Sequence, residues 1–180
     1  MLRFLDTRGL EDRDDYDPSE EVRLAEQQAH IILVSVRAED MGLDAVQSQL
    51  AAALKRNPTR PVIVAQTRLH DLYPPSFTHI QPWPYGDEQF SGVPSDLRRA
   101  LQHQRMLFRN AVCPVSPTFV PIDFTNEKDC FSPLDYGATA LRAALRDALL
   151  KSRNTNHPEA PDAQTYEHDL KSNLDGAKAS

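Results

Sequence analysis

Two short stretches carry residue types that can do chemistry at the ends of apolar runs. The first is Leu2-Arg3-Phe4-Leu5-Asp6-Thr7-Arg8-Gly9-Leu10. An aspartate closing a strand can hold a Mg²⁺-bound water, and a glycine three residues on lets its backbone N–H approach a terminal phosphate with no Cβ in the way. The bland alternative for the same residues is a strand followed by a tight turn. The second stretch is Gln66-Thr67-Arg68-Leu69-His70-Asp71, which closes the run Pro61 to Ala65. Other chemistries find less support. A phosphatase that uses Asp6 as nucleophile needs a second acid two residues later to protonate the leaving group, and Arg8 stands there. The six histidines are scattered, with no Gly-x-Ser-x-Gly and no paired Cys/His context. Cys113 and Cys130 have neither CxxC nor zinc-ligand spacing, so two free thiols are expected.

Positioning such residues is the work of a regular alternation along the chain. Four apolar runs read as strands: Leu2 to Leu5, Ile31 to Val36, Pro61 to Ala65 and Thr118 to Phe124. The second is almost unbroken by polar residues, the pattern of a strand covered on both faces. Between the runs lie helical patterns. Asp17-Pro18-Ser19-Glu20 opens one with a capping residue and a proline at the first helical position, and Val22, Leu24, Ala25 and Ala29 supply its inward face. Further helices are expected from Asp44 to Arg56, stopped by Asn57-Pro58, from Ser95 to Asn110, and from Gly137 to Ser152.

Strand and helix in alternation, with helix-length crossovers, specify an α/β domain with a mostly parallel sheet and helices on both faces. Ligands of such sheets gather beyond the carboxyl ends of the strands, where both chemical stretches fall. Residues 72–94 interrupt the rhythm with Pro74, Pro75, Pro82, Pro84 and Pro94 and the aromatics Tyr73, Phe77, Trp83, Tyr85 and Phe90. This reads as a long ordered insertion whose aromatics cover the core, or else dock a protein partner, with cover the favoured reading. Residues 153–180 turn polar and small and read as a disordered tail, leaving 1–152 as the folded unit.

Composition sets the broad class. The 180 residues are 40% hydrophobic and 26% charged, the make-up of a globular domain. A net charge of -6 gives no nucleic-acid signal and no general attraction to anionic membranes. No stretch reaches the roughly 18 apolar residues of a membrane span, and the N-terminus lacks the regions of a signal peptide, so a cytoplasmic protein is expected.

The order of these features resembles the P-loop GTPase superfamily, and within it the small GTP-binding domains of the Era-like TRAFAC branch. In that family a DxxG strand is followed by a helix, an apolar strand, a helix and a strand ending in an Asn-Lys-x-Asp box that reads guanine. Asp6-Thr7-Arg8-Gly9 looks like the first motif, and Thr67-Arg68-Leu69-His70-Asp71 takes the place of the second, over a resemblance spanning about residues 1 to 151. The resemblance implies GTP or GDP and Mg²⁺ as cofactors. Asp6 would hold the metal through water, Thr7 and Gly9 would lie at the phosphates, and Thr67, Arg68, His70 and Asp71 around the base. Thr67-Arg68 would replace Asn-Lys, as in some septum-, chloroplast-import- and immunity-associated relatives. The acid would then be His70, or Asp71 if the loop carries an extra residue, since a carboxylate's two acceptors match the two donors on guanine's edge. His70 is either a base contact or a loop-packing residue.

One element of the family is absent from the 180 residues: no Gly-x-x-x-x-Gly-Lys-[Ser/Thr] loop occurs, and the resemblance puts it before Met1. The expectation is therefore an N-terminally truncated, incomplete three-layer G-domain-like architecture that is inactive alone. The alternative expectation is a nucleotide-free interaction module on the same scaffold, recognising a protein partner through Leu72 to Val93.

Overall fold

The computed structural model describes residue 23 and residues 27–86, 90–111 and 116–156. The expected strand at Leu2 to Leu5, most of the helix opened by Asp17, and the tail beyond 156 lie outside the described residues. What is described is a mixed α/β fold. Strands β1 (Ile32–Arg37), β2 (Val62–Thr67) and β3 (Thr118–Pro121) form a parallel sheet in the order β1-β2-β3. Ile32 pairs with Val62 and Ile63 with Thr118 at the start of each ladder. Helix α1 (Asp44–Arg56) connects β1 to β2, α2 (Ser95–Ala111) precedes β3, and α3 (Ala138–Asn156) ends the described chain.

The middle strand explains the layers. Val62-Ile63-Val64-Ala65 is apolar throughout, with three β-branched residues, and is buried on both faces, as a central parallel strand must be. Val62 and Val64 face Leu50 and Leu54 of α1 and Phe108 of α2. Ile63 and Ala65 alternate to the other face and meet Leu141, Ala144, Leu145 and Ala148 of α3, together with Val120 and Ile122. Helices thus cover both sides of β2. Asp44 lies in the first turn of α1 and Lys55 and Arg56 in its last, each charge opposed to the helix dipole.

Two expectations are corrected by this packing. In β1 only one face, Ile32, Val34 and Val36, turns to the core; Leu33 on the other is 42% exposed, so the unbroken apolar run is covered on a single face among the described residues. The last strand is also shorter than expected. Pro121 has no N–H to extend the ladder, and after Ile122 donates to Gln66 O at 2.8 Å the chain leaves the sheet. Asp123–Phe124 becomes β4, antiparallel to β5 (Asp135–Tyr136). Helix α3 continues to Asn156, four residues past its expected end.

The described residues of the insertion, 72–86 and 90–93, form a second core against the first turns of α2. Tyr85, Phe90 and Val93 are buried with Leu97, Leu101 and Tyr136, while Leu72, Tyr73, Ile80 and Trp83 pack against them. The Arg105 guanidinium lies 4.4 Å from the Phe90 ring centre, a cation–π contact that closes the side of this core. The insertion is a cover, as its aromatic content suggested.

Candidate functional site

The carboxyl end of β2 gathers the polar residues. Thr67 is its last residue, and its hydroxyl donates to Val36 O at 3.0 Å, tying the ends of β2 and β1. Arg68 follows in the left-handed region at φ 55°, which redirects the chain into a 3₁₀ turn, Leu69–Leu72, whose Leu69 is fully buried. The turn carries His70 and Asp71 to different surroundings. Asp71 turns back to Arg68: Nε lies 2.7 Å from Oδ2, and Nη2 donates to Oδ1 at 3.2 Å. This hydrogen bond, followed by the Asp71 charge, raises the already high pKa of the exposed Arg68. Asp71 keeps 18% of its side chain in solvent.

His70 points inward to Asp123, whose residue surface is fully buried. Asp123 accepts the His70 backbone N–H at 2.8 Å and lies 2.7 and 2.9 Å from Nδ1 through its two oxygens. A carboxylate is an acceptor only, so Nδ1 carries the proton in this contact. The far nitrogen, Nε2, sits 3.4 Å from Asp71 Oδ1. The imidazole therefore bridges the loop after β2 to the segment after β3, with a carboxylate at each end. Phe131 lies against its face at 5.0 Å between ring centres.

Around Asp123 a second tier is aromatic. Tyr136 donates to Ile80 O at 2.8 Å and stacks on His79 at 4.2 Å, nearly parallel. Burial, reinforced by the Asp123 charge, pushes the Tyr136 hydroxyl up to about 12. Burial raises Tyr73 and Tyr85 further, so all three phenols stay neutral at ordinary pH. The Trp83 indole N–H donates to Pro121 O at 3.1 Å, and Tyr85 is 3% exposed, so both aromatics serve the interior.

The strand-end loops are braced from beneath by two amides. Gln66 Nε2 donates to Leu101 O at 3.1 Å and Gln104 Oε1 at 2.9 Å. Gln104 Nε2 reaches Arg37 O at 2.7 Å and Asp40 O at 2.8 Å, holding the loop after β1.

Of the residues singled out from sequence, Thr67, Arg68, His70 and Asp71 come together in one turn, while Asp6, Thr7 and Gly9 lie outside the described residues. Asp123 was missed. Its signal was an ionisable residue inside Val-Pro-Ile-Asp-Phe, where a charge must find a partner or stay out of the core. Among the described residues no group of three or more His, Cys, Asp or Glu could hold a metal ion. Two adjoining depressions, of about 190 and 220 Å³, share Thr59, Arg60 and Pro61 and lie at the amino ends of the strands, away from Thr67 to Asp71. No described helix is long and apolar enough to cross a membrane. Comparisons with protein families, curated proteins and solved structures find no match to this chain.

Proposed function

We propose that this chain is part of a GTP-binding domain of the P-loop GTPase type, with a divergent base-reading turn at Thr67-Arg68-Leu69-His70-Asp71. The observation that carries the reading is the location of that turn. It closes the middle strand of a parallel β1-β2-β3 sheet at its carboxyl end, and it is tied through His70 and Asp123 to the segment that follows β3. Two adjacent strand-end loops are the place where an α/β sheet of this kind holds a nucleotide base.

Within this reading the extra residue of the loop is His70. Its Nδ1 and backbone N–H are both committed to Asp123, whereas Asp71 is paired with the exposed Arg68, with Oδ2 buried and 18% of its side chain in solvent. Asp71, released from Arg68, is then the group for the two donors of a guanine edge, with Thr67 and Arg68 alongside. Asp6 would hold Mg²⁺ through water, and Thr7 and Gly9 would lie at the phosphates. Bound GTP would supply the phosphoanhydride bond for hydrolysis by water.

Calorimetric titration with GDP and GTP in the presence of Mg²⁺ tests the reading on the 180-residue chain and on a version extended upstream. The phosphate loop supplies most of the binding in such sites, so binding is expected only from the extended form. Asp71→Ala in that form should weaken guanine nucleotides by about 10-fold or more, the loss expected when charge-assisted hydrogen bonds go. Equal binding by the short and long forms would overturn the assignment of phosphate binding to a preceding segment.

A further inference from the structure

Among the described residues of the 72–93 cover, His79 is an ionisable group that the nucleotide reading does not use. His79 is 5% exposed and stands between two rings. Tyr136 stacks on it at 4.2 Å and 4°, and Phe131 packs at 5.2 Å and 31°. Its Nδ1 lies 3.1 Å from the Tyr73 hydroxyl, while its Nε2 is buried with no hydrogen-bond partner. The next residue, Ile80, accepts the Tyr136 hydroxyl through its carbonyl. Consecutive residues of the cover therefore grip one tyrosine twice, by stacking and by hydrogen bond.

We propose that His79 is an acid-operated catch: neutral, it locks the 72–93 cover onto Tyr136; protonated, it leaves the ring cage and the cover opens locally while the sheet and its helices stay folded. The proposal rests on the cage and does not depend on the nucleotide reading.

The groups around His79 come from several elements. Tyr73 belongs to the insertion itself, Phe131 to the β4–β5 connection, Tyr136 to β5, His70 to the 3₁₀ turn and Asp123 to β4. The phenols are held neutral by burial and are silent between pH 5 and 8. Burial is the largest influence on His79 and lowers its pKa from the ordinary 6.5; the Asp123 charge opposes this and His70 adds to it. The sign follows from linkage. An open cover returns His79 toward 6.5, so opening takes up a proton, and acidification through 6.5 favours the open form until the closed form protonates as well. Over that interval the opening constant rises by up to about tenfold per pH unit.

The chain supplies its own reporter, since Trp83 is its single tryptophan and lies in the cover with its indole N–H on Pro121 O. Acrylamide quenching of Trp83 is measured from pH 7.5 to 5.0 alongside far-UV circular dichroism and the NMR titration of the His79 ring. The expected result is a several-fold rise in quenching at constant helical signal, with the midpoint of the His79 titration. His79→Phe keeps a stacking ring and should abolish the rise; His70→Asn retains a donor for Asp123 and should leave it in place. Flat quenching in the parent chain would overturn the proposal. So would a rise that persists in His79→Phe, vanishes in His70→Asn, or appears only as helical signal is lost. Should His79→Phe fail to fold, the two midpoints in the parent chain decide: coincidence supports the catch and divergence refutes it.

Discussion

The core beneath the sheet and the core beneath the cover are made of different materials. Around the sheet, valine, isoleucine, leucine and alanine from three strands and three helices, joined by Phe108 and Phe119, meet through side chains that have no hydrogen-bonding groups of their own. Under the cover, Tyr73, Trp83, Tyr85 and Tyr136 bring polar atoms inside, and the cover closes through directed bonds to Ile80 O and Pro121 O. The first core is stabilised by area, which is additive and forgiving of small shifts. The second depends on geometry, because each buried donor or acceptor that loses its partner retains its full desolvation cost. A compact chain can therefore hold a robust layer and a conditional one side by side.

Three substitutions probe that contrast. Ile63→Ala removes a fully buried side chain from the centre of β2 and should lower global stability by about 3 to 4 kcal/mol, read from urea unfolding by circular dichroism. A loss confined to local opening, with the midpoint unchanged, would break the comparison. Gly137→Ala acts at the seam between the two cores. Gly137 adopts φ +84°, and a Cβ there would stand 2.7 Å from Pro121 O, so the expected cost is about 2 to 3 kcal/mol with both layers affected. Tyr136→Phe keeps the ring stacked on His79 and deletes only the bond to Ile80 O. It should cost about 1 kcal/mol, appearing as faster hydrogen exchange within the cover and little change in the urea midpoint. An equal effect on exchange in β2 would show that cover and sheet open as one unit.

The same contrast separates what could be read from the sequence from what could not. Helix α1 matches its expected bounds, and α2 differs by one residue at its end, because periodic apolar faces and the Asn57-Pro58 stop are local signals. The three described parallel strands also begin within a residue of their expected starts. The Thr67 to Asp71 turn was legible as a polar strand end. Its division of labour was not, because the partner that draws His70 inward is Asp123, 53 residues away. Nothing local to His70 distinguishes an inward ring from an outward one. The same holds for β4: Pro121 signals a weak point, but the new pairing with Asp135 and Tyr136 depends on how the returning chain meets it. The one-sided burial of β1 among the described residues was missed because an apolar run states what a strand tolerates and not what lies on it.

Gln104 gives the strand-end region a direction. Its NH₂ group faces carbonyl oxygens of Arg37, Ala38 and Asp40, and its own oxygen receives Gln66, so both amides are fixed end for end. Three carbonyls converge on one nitrogen that has only two hydrogens to offer, and Gln66 Oε1 is left buried with no hydrogen-bond partner. The polarity of the network cannot reverse without setting oxygen against oxygen. A deamidation at Gln104 would do that by exchanging one group, turning the clasp between α2 and the β1 loop into a source of repulsion while leaving the shape of the side chain unaltered.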